Sequence, residues 1–177
     1  MKPIRFLKVL YMKGIELIDP VRRAKMEGVR FGERLHIYGH VKWGSEPWII
    51  KIGDDVHITN GVRFVTHDGG TLILRKQVPD LEITKPITIG NNVYIGVDTV
   101  FLPGVNIGDN VVIGARSVVS KNIPSNSVAV GQPARVIKSI DDYKKKLESE
   151  SLHLGHLSEK EKDKALRLYY QDYLLQK

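Results

Sequence analysis

From Ile89 onward, large apolar residues return every six positions, at Ile89, Ile95, Phe101, Ile107, Ile113 and Val119. Four places after each stands a small or branched residue: Val93, Thr99, Val105, Val111, Ser117 and Ile123. An upstream block keeps the same spacing, Ile52 with Val56, Ile58 with Val62, then Phe64. Weaker units are Phe31 with Leu35 and Ile37 with Val41. A period of six suits neither an amphipathic helix, with its period of ~3.6, nor a strand alternating every ~2 residues. It predicts a short strand and a turn, repeated, with both apolar positions facing inward. Gly53-Asp54-Asp55, Gly90-Asn91-Asn92 and Gly108-Asp109-Asn110 fill the corners, where positive φ is often required. Each unit then forms one side of a three-sided coil, and successive turns stack at the ~4.8 Å spacing of paired strands.

The register breaks once. Ile52 to Ile89 spans 37 residues, one more than six sixes. Residues 68–86, with Gly69-Gly70, Pro79 and several charges, read as a loop projecting from the coil; long loops in compact domains are usually functional. The ends read as helical. Residues 4–27 hold one or two short helices, broken near Gly14 and at Asp19-Pro20, where Pro20 suits a helix start. Near the other end, Ser158 and Glu161 form a capping-box pattern, and Leu166, Tyr169, Tyr170, Tyr173 and Leu174 fall on one helical face. The expected organisation is an N-terminal helical segment (1–28), a β-coil domain (29–137) and a C-terminal helical tail (138–177).

Composition narrows the function. The 177 residues include no cysteine, which excludes disulfides, thiolate metal sites and a cysteine nucleophile. Lys and Arg number 27 against 20 Asp and Glu, a net charge of +7. That excess suits nucleic acid, a membrane surface or an anionic small molecule. Nucleic acid is the weakest of these, because no zinc-finger spacing or RNA-binding signature is present and few aromatics stand among the basic residues. The apolar runs near Met1 are too short for a signal peptide or a membrane span, so a cytoplasmic protein is expected.

The repeat, with Pro103-Gly104-Val105-Asn106-Ile107-Gly108, Gly114-Ala115-Arg116-Ser117-Val118-Val119, Lys121-Asn122-Ile123-Pro124 and Gly131-Gln132-Pro133-Ala134-Arg135-Val136-Ile137, resembles the hexapeptide-repeat acyltransferases. The resemblance covers residues 29–137. It implies an all-β, left-handed parallel β-helix with short N-terminal helices and a C-terminal helical tail. The left hand comes from the family; strand physics alone favours a right-handed crossover. It also implies acetyl-CoA as co-substrate and a homotrimer with active sites between subunits.

His67, in Thr66-His67-Asp68, is the candidate base. Family members with a similar stretch use the matching histidine to deprotonate the acceptor, and an imidazole titrating at roughly 6.5 in water can do so near neutrality. Asp68 or a backbone carbonyl would fix its tautomer. Read without the family, His67 is a surface histidine on a turn. The resemblance also implies a groove in which backbone groups near Gly96, Gly114 and Ala115 meet the pantetheine arm. Lys121, Arg135 and Lys138 would meet the coenzyme's phosphates. The glycines serve the turns in any case, and the basic residues could be a solvated face. If Ile83 restarts the coil after the loop, Phe64, Ile95 and Ile113 stack, and His67, Asp98 and Arg116 form an outward ladder. Asp80 and Glu82 could orient a hydroxyl or simply be solvated. Trp43 and Trp48 flank a kink at Gly44-Ser45-Glu46-Pro47 and read as covers over a core edge. His36, His40, His57, His153 and His156 carry little signal.

These observations point to an acetyl-CoA-dependent O-acetyltransferase acting on a sugar or glycan hydroxyl by direct transfer. No metal site, nucleic-acid partner or membrane span is expected. An N-acetyltransferase on an amino-sugar nucleotide is the alternative. Many such enzymes add a nucleotide-binding domain, and here no Gly-x-Gly-x-x-Gly follows a strand. A carbonic-anhydrase-like enzyme needs three converging histidines. A non-catalytic β-helix would share the fold without binding acetyl-CoA.

Overall fold

The computed structural model describes residues 3–175. Contacts divide the chain into two compact units, residues 1–141 and 142–177.

The first unit opens with α1 (Pro3–Ile18) and α2 (Pro20–Glu27). The Asp19 carboxylate accepts the Arg22 N–H at 2.9 Å, Pro20 occupies the first helical turn, and Gly28 ends α2 at φ 98°. The helix does not break at Gly14. A mid-helix glycine costs about 1 kcal/mol relative to alanine, too little by itself to end a 16-residue helix. The break comes where Asp19-Pro20 imposes one.

The coil follows in thirteen short strands: β1 (Arg30–Phe31), β2 (His36–Tyr38), β3 (Ile50–Ile52), β4 (Val56–Thr59), β5 (Arg63–Phe64), β6 (Ile87–Ile89), β7 (Val93–Ile95), β8 (Val100–Phe101), β9 (Asn106–Ile107), β10 (Val111–Ile113), β11 (Val118–Val119), β12 (Ser127–Gly131) and β13 (Ala134–Ser139). They form three sheets, ordered β1-β3-β6-β9, β2-β4-β7-β10-β12-β13 and β5-β8-β11. Pairing is parallel throughout except for β12 with β13, which turn back on each other and end the coil as an antiparallel edge. Consecutive turns lie 18 residues apart where the hexads run unbroken, as in Val93 beside Val111. The inward positions are those of the repeat: Ile58, Ile95 and Ile113 are fully buried, as are Thr99 and Ser117. The last two satisfy their hydroxyls on the Gly96 and Gly114 carbonyls at 2.8 and 2.7 Å.

Two insertions interrupt the 18-residue turn. Phe31 pairs with Ile52, 21 residues on, so the first turn carries three extra residues. They lie in the Gly44–Pro47 kink and the 3-10 turn Pro47–Ile49. Trp43 is buried there and stacks on Phe64, which stacks on Phe101, each with centroids 5.0 Å apart. Trp48, by contrast, is exposed. The second insertion is the loop. Phe64 pairs with Phe101, 37 residues on, which is one 18-residue turn plus the 19 residues of 68–86. Ile83 therefore does not restart the coil. It lies in the loop's neck, where its carbonyl accepts the Asp68 N–H and Lys85 N–H reaches Thr66 O, both at 2.9 Å. The coil resumes at Ile87 beside Ile50. Phe64 thus stacks over Phe101 and Val119, and the ladder of His67, Asp98 and Arg116 does not form. Asp98 and Arg116 do pair, at 3.8 Å, but Asp98 lies against Gly61.

A helix α3 (Ile140–Glu150) starts at the boundary between the units. The second unit contains α4 (Glu159–Tyr169) and α5 (Gln171–Leu175). The capping box forms as the sequence predicts, with Ser158 N–H donating to the Glu161 carboxylate at 3.1 Å. The apolar face is split, because the chain turns at Tyr170, whose ring meets Tyr169 edge-on. No helix among the described residues is long and apolar enough to cross a membrane.

Candidate active site

His67 leaves the third sheet just beyond β5. The ladder holds as far as Val65, whose N–H donates to Phe101 O at 2.9 Å. Thr66 is fully buried, and the His67 side chain then emerges at 44% exposure. Its Nδ1 lies 3.1 Å from Glu46 Oε2, and the Thr66 hydroxyl donates to the same oxygen. A carboxylate oxygen can only accept, so Nδ1 carries a proton, and in the neutral imidazole the lone pair is on Nε2. The Thr66 hydroxyl, and then His67, hold the Glu46 carboxyl below the usual glutamate range, so it is a carboxylate throughout the neutral range.

Glu46 reaches this position because of the three-residue insertion in the first turn. Gly44 bends the chain there at φ 77°, and a Cβ on it would stand 2.7 Å from Phe64 O and 3.0 Å from Thr66 Oγ1. Only glycine lets the kink lie against β5. Pro47 is buried and anchors the other side. In the sequence the segment shows only as a kink, with no local mark on its acid. The available signal was the 21-residue first turn, which displaces Glu46 outward from the coil.

Asp68 does not fix the histidine. Its carboxylate accepts the Gly70 N–H at 2.9 Å and caps the 3-10 turn Gly69–Ile73 at the start of the loop. The loop borders a half-open cavity of about 290 Å³ beside His67, lined by Glu46, His67, Asp68, Thr71, Arg75 and Glu82 among others. Arg75 Nε donates to Leu81 O at 2.9 Å, and the Thr84 hydroxyl donates to Glu82. Asp80 is exposed and does not line the cavity. The remaining coil histidines have other partners: His36 and His57 stack at 4.7 Å, and His40 meets Glu16 of α1.

The predicted coenzyme residues fall at both edges of the third sheet. Gly96, Gly114 and Ala115 share the corner that leads into it. Stacking requires glycine there, since a Cβ on Gly96 would lie 2.5 Å from Ala115 N and one on Gly114 2.6 Å from Val130 Cγ1. The Gly96 and Gly114 amides bond Ile113 O and Ala129 O, at 2.8 and 2.9 Å. Of the three amides, Ala115 N–H is the one with no acceptor among the described residues. Lys121 lies at the opposite edge. Lys121 follows Val119 of β11 as His67 follows Phe64 of β5, so both leave the third sheet at the same edge. Arg135 and Lys138 lie on β13, with Arg135 beside Val130, the residue packed on Gly114.

A protein-family model described as bacterial transferase hexapeptide (six repeats) matches residues 86–121. Protein CapG of Staphylococcus aureus is 49% identical over 143 residues, 80% of this chain and 83% of CapG. The galactoside O-acetyltransferase of Escherichia coli K12 is 46% identical over 103 residues, and the chain spans about half (51%) of that protein's length. A solved galactoside acetyltransferase in complex with coenzyme A superposes with a TM-score of 0.58 at 35% identity, over 73% of this chain and 74% of that one. With a three-sided parallel coil and relatives this similar over most of their length, the protein belongs to the hexapeptide-repeat acetyltransferases and resembles the sugar O-acetyltransferases among them.

Proposed function

We propose that the protein transfers an acetyl group from acetyl-CoA directly to a hydroxyl of a sugar or glycan, with His67 as general base. One observation carries the reading: an imidazole whose Nδ1 is held by the Glu46 carboxylate, on the wall of a cavity of about 290 Å³. A hydroxyl is a weak nucleophile until it loses its proton during attack. Nε2 takes that proton as the acceptor oxygen bonds to the thioester carbonyl carbon. The carbon–sulfur bond then breaks, and the imidazolium returns the proton to the departing sulfur. Glu46 stays ionised and stabilises the imidazolium that forms between the two transfers. Thr66 holds Glu46 in place, and Asp68 shapes the cavity by capping the loop.

In this reading Ala115, beside Gly96 and Gly114, offers backbone polarity to the pantetheine arm, while Lys121, Arg135 and Lys138 meet the phosphates. The coil of residues 29–137 is the catalytic domain, left-handed as in the family, with residues 1–28 and 138–177 as helical additions. The enzyme works as a cytoplasmic homotrimer with sites between subunits, a stoichiometry that sedimentation equilibrium reads directly. Calorimetric titration of acetyl-CoA should show saturable binding near one site per chain. Release of CoA thiol should then depend on a sugar acceptor and be lost in His67→Ala. No binding at millimolar acetyl-CoA, or acceptor-dependent thiol release unchanged in His67→Ala, would overturn the proposal.

A further inference from the structure

We infer that the acceptor cavity selects by charge, admitting an uncharged, hydroxyl-rich glycan and turning away uronates, sialates and phosphorylated sugars. The inference rests on the function proposed above and names the acceptor class for the same site. The protein as a whole carries +7, yet the cavity around His67 is acidic. Glu46, Asp68 and Glu82 bring three carboxylates against the single guanidinium of Arg75, which leaves two negative charges when the imidazole is neutral. Arg75 is partly committed, since its Nε holds Leu81 O on the loop.

Each acid is seated by its own neighbour: Glu46 by Thr66, Asp68 by the Gly70 N–H, Glu82 by the Thr84 hydroxyl. A carboxylate has about four lone-pair positions, so Asp68 and Glu82 keep acceptor capacity facing the cavity. Sugar hydroxyls are donors that this lining can bind. A substrate carboxylate or phosphate would bring a like charge into a partly enclosed space, where repulsion is several times its value in water. An amino sugar is affected differently. The acids favour its ammonium form, which has no lone pair for attack, so a sugar bearing both groups should be acetylated on oxygen.

The test uses matched methyl glycosides of glucose, galactose and mannose, each as the neutral sugar, the 6-uronate and the 2-amino sugar, with CoA thiol release as the readout. The wild type should prefer neutral over uronate acceptors by at least about tenfold in kcat/KM. Glu82→Gln, which keeps the bond to Thr84, should cut that preference about tenfold, mainly through the KM of the uronate. Arg75→Gln should move it in the opposite direction. Comparing two acceptors within one variant cancels any loss of folded enzyme. Equal use of neutral and uronate acceptors by the wild type would sink the inference while leaving the acetyltransferase reading intact, and so would preferences unmoved in both variants. Silence with every acceptor in the panel would count against that reading and against the charge filter with it.

Discussion

The Glu46–His67 pair gives the single-residue predictions. His67→Ala removes the group proposed to take the acceptor's proton, and a positioned general base contributes roughly 10²–10⁴-fold. Its kcat should therefore fall by at least about a hundredfold, while the half-exposed position leaves thermal unfolding little changed. Glu46→Gln keeps the shape but not the charge. It should lower kcat less than His67→Ala, because the ring keeps its place but loses the carboxylate that stabilises the imidazolium. Glu46→Asp should fail to restore kcat, since the shorter chain falls short of the 3.1 Å contact. Stability follows its own pH dependence. The carboxyl of Glu46 is depressed in the folded protein, first by Thr66 and then by His67. Its contribution is present above the ordinary glutamate range and disappears as pH falls through the folded value. The unfolding temperatures of wild type and Glu46→Gln should differ at neutral pH and converge under acid. His67 was readable from its local stretch. Glu46 was not, because it stands 21 residues away and only the fold brings the two together.

At the scale of elements, the hexad period was fully legible, because each side of the coil must bury its own apolar residue and a one-residue slip would expose it. Residues 68–86 were legible as a loop from their glycines, proline and charges, but the point at which the coil restarts was not. Pairing of Ile50 with Ile87 and of Ile52 with Ile89 fixes the exit at Ile87, and the ladder built on a restart at Ile83 fails. Gly14 misled for a similar reason: local propensity is weaker than the continuity of the helix around it. The third sheet carries the largest side chains, with Trp43, Phe64 and Phe101 stacked at 5.0 Å. Phe64→Ala should cost about 3–5 kcal/mol, read by denaturant unfolding. Gly44→Ala acts through position. Its Cβ would press on Phe64 O and Thr66 Oγ1, pushing the kink and Glu46 away from β5. Activity should drop as in Glu46→Gln while the hexad core stays folded, so a circular dichroism spectrum like that of wild type should accompany the loss.

For the whole molecule, the third sheet joins the two halves of the proposed chemistry. His67 and Lys121 stand along one edge of it, and the Gly96–Gly114–Ala115 corner runs along the other, with Arg135 reached through Val130. A coenzyme whose arm follows that corner and whose phosphates meet Arg135 and Lys138 would have the sheet's outer face, Arg63, Val100 and Val118, between it and the base. In the function proposed here, association into the trimer that the family resemblance implies supplies the missing wall of such a groove. The basic residues then have a sharp test. A charge-assisted bond contributes about 1.5–3 kcal/mol, so losing one should raise the KM for acetyl-CoA by roughly ten- to a hundredfold. Lys121→Ala, Arg135→Ala and Lys138→Ala should each raise that KM, with effects that shrink as salt is added. For Arg135→Ala and Lys138→Ala the value of kcat at saturation should hold, because these two lie across the sheet from the base. Acetyl-3′-dephospho-CoA separates them. The wild type should bind it more weakly than acetyl-CoA, and the variant that no longer distinguishes the two has lost the residue that meets the 3′-phosphate. If all three variants keep full discrimination and an unchanged KM, the phosphates lie elsewhere and the basic residues are solvated surface.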